Sequence, residues 1–167
     1  MIFVTVGTHE QPFNRLIKKV DELVADGTIN EPVVMQTGFS TYVPKHCEWH
    51  KMLSYNEMKR YIDEARIVIT HGGPASFIEV LQAGKIPVVV PRLAEFGEHV
   101  NDHQEEFVKI VQNRMGNIIP VYKIDHLSRV VANYDTLVLQ KNNVENSHNE
   151  VFNIAFEELV NELFRKR

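Results

Sequence analysis

The sequence predicts an α/β fold, a doubly wound, Rossmann-like parallel sheet of about six strands. Three observations carry that expectation. Short β-branched runs such as Ile67-Val68-Ile69 and Val88-Val89-Val90 read as strands buried on both faces. Stretches with apolar residues at helical spacing alternate with them along the chain. Finally, two of the strands run into glycine turns, at Gly7 and at Gly72-Gly73.

Taken in order, Ile2 to Val6 is the first strand, and Gly7 to Pro12 turns out of it. Phe13, Leu16, Ile17, Val20, Leu23 and Val24 then recur at helical spacing to about Ala25. Val33 to Gln36 is a second strand, and Cys47 to His50 a weaker third. Asn56 to Glu64 is expected as a helix with Tyr55, Met58, Tyr61 and Ile62 on its apolar side. The fourth strand, Ile67 to Ile69, leads through Gly72-Gly73 into a helix closed by Gly84-Lys85. Pro87 to Pro91 is the fifth strand, followed by a polar loop from Arg92 to Asn101 and a helix to about Asn113. Ile118 to Val121 is the sixth strand, Asp125 to Tyr134 a helix, and Lys141 to Asn149 a polar loop. The last helix, Glu150 to Arg167, carries Phe152, Phe156, Leu159 and Leu163 as an apolar stripe. Residues 1–146 are therefore expected to form the ligand-binding domain, and 147–167 an amphipathic helix packed on it or on a partner.

Composition excludes several classes. A chain of 167 residues with 44% hydrophobic and 24% charged residues suits one domain with a real core. Its net charge of −4 makes no electrostatic case for nucleic acid. The lone Cys47 offers no disulfide framework and fits a reducing compartment. Met1 runs straight into an apolar strand rather than a signal sequence, and no apolar run reaches the roughly 20 residues of a spanning helix.

With strand order 3-2-1-4-5-6, strands one and four meet at the topological switch point, and both glycine turns open onto one crevice. Pro74 suits a first helical position, so the helix after Gly73 points N–H groups and partial positive charge at the turn, a seat for phosphate. Glu79 lies three residues after Ser76 on the same face. A carboxylate beside a phosphate seat suits a ribose diol. The first turn lacks the glycines of a dinucleotide fingerprint and the Gly-Lys-Ser/Thr ending of a P-loop. His9 in that turn suits a general base, a phosphate donor or a solvated loop residue. His99 and His103, four apart, would share one helix face and form two ligands of a metal, but no third is evident. Asn101 and Gln104 offer amides matched to sugar hydroxyls.

His71-Gly72-Gly73-x-x-Ser76-x-x-Glu79, Gly84-Lys85-x-Pro87 to Arg92, and Glu98-His99-x-Asn101-x-His103-Gln104 resemble the C-terminal domain of family 28 glycosyltransferases. The opening Phe3 to Phe13 is similar to the catalytic subunits of two-component bacterial exopolysaccharide or capsule β-1,4-galactosyltransferases. More remotely it resembles the catalytic subunit of the dolichol-linked N-acetylglucosamine transferase. The resemblance covers Met1 to about Val121 and implies the C-terminal half of a GT-B enzyme.

The resemblance further implies an inverting transfer of a hexose, galactose above all, from a UDP-sugar to a lipid-linked oligosaccharide. Glu79 would bind the ribose, and Ser76 with the His71, Gly72, Gly73 turn would hold the diphosphate. Gly7, Thr8 and His9 would face the same groups, Asn101 and Gln104 the donor sugar, and the backbone near Tyr55 uracil. His9 is the one catalytic candidate, and no metal or other cofactor is expected. A membrane-anchored partner is expected to supply the acceptor half, holding this chain at the inner, cytoplasmic face of the plasma membrane. Two alternatives remain: a UDP-sugar epimerase, and a non-catalytic nucleotide-sugar-binding subunit.

Overall fold

The computed structural model describes residues 1–145 together with Glu158 and Asn161. Six parallel strands form one sheet: β1 (Ile2–Thr5), β2 (Val33–Gln36), β3 (Glu48–His50), β4 (Ile67–His71), β5 (Val88–Val90) and β6 (Ile119–Pro120). Their spatial order is β3-β2-β1-β4-β5-β6, so β1 and β4 are neighbours at the switch point, as expected. The helices are α1 (Asn14–Ala25), α2 (Tyr55–Glu64), α3 (Pro74–Gln82), α4 (His103–Met115), α5 (Leu127–Ala132) and α6 (Tyr134–Glu145).

Strands β1, β2, β4 and β5 bury both faces while the edge strand β3 is largely exposed, and the two-residue side-chain period sorts the core into layers. Ile2, Val4, Met35, Ile67, Ile69, Val88 and Val90 pack with Leu16, Ile17 and Val20 of α1 and Leu127 of α5 on one face. Phe3, Val34 and Val68 lie on the other face with Ile62 of α2 and Val80 of α3. Val89 continues that layer with Phe77, Phe107, Val108 and Val111. This is why each run reads as continuously apolar rather than alternating.

Several boundaries differ from the sequence reading for local reasons. Ser54 accepts from the Glu57 N–H at 3.2 Å, and the Glu57 carboxylate accepts from the Ser54 N–H at 2.8 Å. This capping box, legible as Ser-x-x-Glu, starts α2 at Tyr55. The expected helix from Asp125 to Tyr134 is a 3-10 turn over Ile124–His126 followed by α5, broken at Asn133. There the Asn133 side-chain amide donates to the Arg129 carbonyl at 2.8 Å, competing with the helical ladder. The polar run from Lys141, expected as a loop, is helical as far as Glu145. Its asparagines lower helix propensity without abolishing it. The stripe at Phe152, Phe156, Leu159 and Leu163 lies outside the described residues. Among the described residues no helix is long and apolar enough to cross a membrane.

Lys85 ties the α3–β5 connection to the end of α2. Its ammonium donates to the carbonyls of Ile62, Asp63 and Ala65, each at 2.6 Å. These are carbonyls that a helix C-terminus leaves unpaired and that carry its negative partial charge. Lys85→Met keeps the stem and removes the charge, so it should lower unfolding stability by about 1–3 kcal/mol. A shifted urea midpoint with an unchanged slope would show it; no shift would mean the three bonds contribute nothing net.

Candidate functional site

A crevice of about 490 Å³ opens at the carboxyl ends of β1, β2 and β4. Gly7, Thr8 and His9 line it after β1, and His71, Gly73, Pro74, Ala75, Ser76 and Glu79 after β4. Thr5 and Gln36 also line it, with Leu53, Tyr55 and Met58 on the α2 side and Gln104 from α4. Of the residues expected from sequence, only Gly72 and Asn101 lie outside this lining. Thr5, Gln36, Leu53 and Ala75 line the crevice without any motif in the sequence that marks them. Thr5 ends β1 at the switch point and Gln36 ends the neighbouring β2, positions readable only once strand order is known.

His71 sits at the centre, 8% exposed, with its ring against both glycine turns. A Cβ at Gly7 would lie 2.3 Å from His71 Nε2, and one at Gly73 would lie 2.2 Å from Cε1. Gly7 also takes φ +73°, a region that L side chains avoid. His71 Nδ1 accepts from the Gly73 N–H at 3.1 Å and faces the Gln104 amide nitrogen at 3.3 Å. With a lone pair required at Nδ1, the ring proton resides on Nε2 and is donated to Ser76 Oγ at 2.8 Å. The Ser76 hydroxyl hydrogen is thereby left for a ligand oxygen. Burial, and next the charge of Arg92, pull the pKa of His71 down to about 3, so the ring is neutral.

The glycine turn is closed from behind. Gln104 Oε1 accepts from the Gly72 N–H at 3.1 Å and from the Arg92 N–H at 3.0 Å. The amides of Gly72 and Gly73 are therefore both engaged inside the protein. In α3 the Ser76 N–H bonds the Gly73 carbonyl and Pro74 has none, which leaves the Ala75 N–H without a partner among the described residues. The groups left to meet a ligand oxygen at the positive end of α3 are thus the Ala75 amide and the Ser76 hydroxyl, rather than the glycine amides.

Arg92 is completely buried and fixes the opposite lip. Its guanidinium donates to the carbonyls of Val6 at 2.6 Å, Gln11 at 2.7 Å and Glu98 at 3.1 Å, and lies over the Phe13 ring. Burial draws its pKa down to about 10, which leaves it charged near neutrality. Glu98, 2% exposed, accepts from Arg15 at 2.8 and 3.0 Å and from the Leu93 N–H at 3.0 Å. Together these bonds lash the β1 turn to the loop after β5.

The histidine pair departs from expectation. α4 begins at His103, so His99 precedes it and the two do not share a helix face. Asn101 Oδ1 accepts from the His103 N–H at 3.1 Å, an Asx turn that forms the helix entry. His99 instead stacks on His9, with ring centroids 4.7 Å apart. Among the described residues no three His, Cys, Asp or Glu gather as a metal cage. His9 Nδ1 accepts from the Gln11 N–H at 3.2 Å, so in the neutral ring its lone pair is occupied and Nε2–H is a donor. That arrangement suits a hydrogen bond to an oxyanion better than proton abstraction.

The sequence profile of the glycosyltransferase family 28 C-terminal domain matches residues 1–163. No curated protein sequence matches the chain. Among solved structures, the kitacinnamycin glycotransferase matches with TM-score 0.55 and 17% identity, over 85% of this chain and 37% of that one. The glycosyltransferase SnogD from Streptomyces nogalater matches with TM-score 0.50 and 14% identity, over 87% of this chain and 39% of that one. The chain thus spans under two fifths of the length of these enzymes. The likeness establishes the fold, that of the C-terminal half of GT-B glycosyltransferases.

The neutral His71 has a measurable consequence for stability. The unfolded chain takes up a proton below the ordinary imidazole value of 6.5, which the folded chain refuses until about pH 3. Stability must therefore fall as pH drops through that window, by up to about 1.4 kcal/mol per pH unit from this group. His71→Asn, whose Oδ1 can still accept from Gly73, should show a shallower loss in urea titrations between pH 6.5 and 4.5. Parallel pH slopes for the two proteins would contradict a buried neutral imidazole.

Proposed function

The chain belongs to the glycosyltransferase family 28 C-terminal domain family, and from that premise we propose that it is the donor-binding, catalytic subunit of a UDP-sugar-dependent hexosyltransferase. The observation that carries this reading is one crevice holding a helix N-terminus, the Ser76 hydroxyl and the Glu79 carboxylate. The diphosphate of a nucleotide sugar calls for the first two of these contacts, and its ribose diol for the third. In this reading Ala75 and Ser76 take the diphosphate oxygens, and Glu79 accepts from the two ribose hydroxyls. The backbone at Tyr55 is assigned to uracil and the second N–H of the Gln104 amide to the hexose, with Asn101, outside the lining, kept as a further sugar contact.

The reaction proposed is an inverting displacement. An acceptor hydroxyl attacks the anomeric carbon, the bond to the diphosphate oxygen breaks, and UDP leaves with the negative charge. In this mechanism the positive end of α3, the Ser76 hydroxyl and the His9 Nε2–H stabilise that charge. The lone pairs of His9 and His71 are engaged, and Glu79 is assigned to ribose, so the base is assigned to the acceptor-binding half. We assign galactose as the hexose and a lipid-linked oligosaccharide of exopolysaccharide or capsule synthesis as the acceptor. These follow the resemblance of the Phe3 to Phe13 segment to two-component galactosyltransferases. A membrane-anchored partner would then bring the acceptor, with residues 1–146 holding the donor and 147–167 facing the partner.

Two measurements test this. Glu79→Ala removes two charge-assisted hydrogen bonds, each worth roughly 1.5–3 kcal/mol, so UDP affinity should fall at least tenfold in a folded protein. A folded variant with unaltered UDP binding would remove the ribose role. For the partner, the chain alone should bind UDP yet transfer galactose to a lipid acceptor only when the membrane subunit is added. Full activity of the chain alone would defeat the two-component reading.

A further inference from the structure

Gln36 closes β2 and stands in register with Thr5 of β1. It is only 3% exposed, yet it lines the crevice. Its amide orientation follows from its neighbours. The Gly7 N–H donates to Thr5 Oγ1 at 3.2 Å, and the Thr5 hydroxyl then donates to Gln36 Oε1 at 2.8 Å. The amide nitrogen therefore points the other way, where among the described residues it meets only the thioether of Met52 at 3.7 Å. A thioether is a weak acceptor and can engage just one of the two N–H groups. The family resemblance assigns Gln36 no role, and the strand ladder does not need its side chain.

We propose that Gln36 is a specificity-determining residue of the crevice, presenting an amide N–H to a ligand oxygen that carries no hydrogen. The inference rests on the nucleotide-sugar reading and refines it. Gln36 lies between the Gly7-Thr8 turn on one side and Leu53, Tyr55 and Met58 on the other. A nucleotide there offers two oxygens of the required kind, a pyrimidine carbonyl or a phosphate oxygen. Either relieves the unmet donor, which is costly to keep buried without a partner. A carbonyl contact also discriminates between bases, because an amino group in its place would set donor against donor.

Titration calorimetry of the 167-residue chain with UDP, CDP and uridine tests the inference. Gln36→Glu keeps an oxygen for the Thr5 hydroxyl and replaces the donor by an anionic acceptor. Gln36→Met removes the donor without adding charge, and serves if the first variant fails to fold; thermal midpoints monitor both. UDP affinity is expected to fall about tenfold or more, the loss of one hydrogen bond to a charged or carbonyl oxygen. Losses for UDP and uridine but not CDP assign the contact to a base carbonyl. Losses for UDP and CDP with uridine unchanged assign it to phosphate. Equal weakening of all three ligands assigns it to the C2 carbonyl that uracil and cytosine share, whereas unchanged UDP binding by a folded variant overturns the inference. If the unaltered chain itself binds no UDP, the nucleotide-sugar reading fails instead, and this refinement with it.

Discussion

The imidazole of His71 stands where two glycine turns come together, and the shape of the crevice depends on it. A Cβ on either Gly7 or Gly73 would occupy the ring's own space. The ring in turn accepts from Gly73 and donates to Ser76, so it sets both the path of the turn and the direction of a hydroxyl. Neutrality is essential to this arrangement. A protonated ring would have no lone pair for the Gly73 N–H and would place a charge in a dry site beside Arg92. Burial and the neighbouring guanidinium both hold the proton off.

Around that imidazole the polar groups divide into those that brace and those that face the ligand. Gln104 looks from sequence like a sugar contact, but its oxygen is shared between Gly72 and Arg92. Arg92 opens what reads from sequence as a polar loop, but it is buried and holds three carbonyls of the two lips. Removing either partner would strand buried polar groups, which costs more than the hydrogen bonds contribute net. What remains to meet a ligand is a small set: the Ala75 amide, the Ser76 hydroxyl, the Glu79 carboxylate, the His9 Nε2–H, the Gln36 amide and the remaining N–H of Gln104. All but the carboxylate are donors, a balance that suits an anionic diphosphate attached to a ribose diol.

The same division reconciles a net charge of −4 with the diphosphate proposed as its ligand. The attraction is local, supplied by oriented dipoles and hydroxyls at one helix end rather than by the overall field. Arg92 adds a fixed positive charge behind the β1 turn without touching the crevice. Its buried position keeps that charge from being screened as a surface residue's would be.

The sequence by itself determined the fold and most of the crevice. Ile67 to Ile69 and Val88 to Val90 are apolar on both strand faces, so only a sheet covered by helices on both sides accommodates them. Gly7, the Gly72-Gly73 turn and Pro74 carry their backbone demands in their own chemistry, which is why the switch-point crevice was legible before any coordinates. The roles of Gln104, Arg92, His99 and Gln36 were decided only by the tertiary structure. Each depends on a partner remote in sequence: Gly72 for Gln104, Val6 for Arg92, His9 for His99 and Thr5 for Gln36. A polar side chain's type states what it can bond. Which bonds it makes, and so whether it braces the protein or meets a ligand, depends on what the packed strands and loops bring within about 3 Å of it.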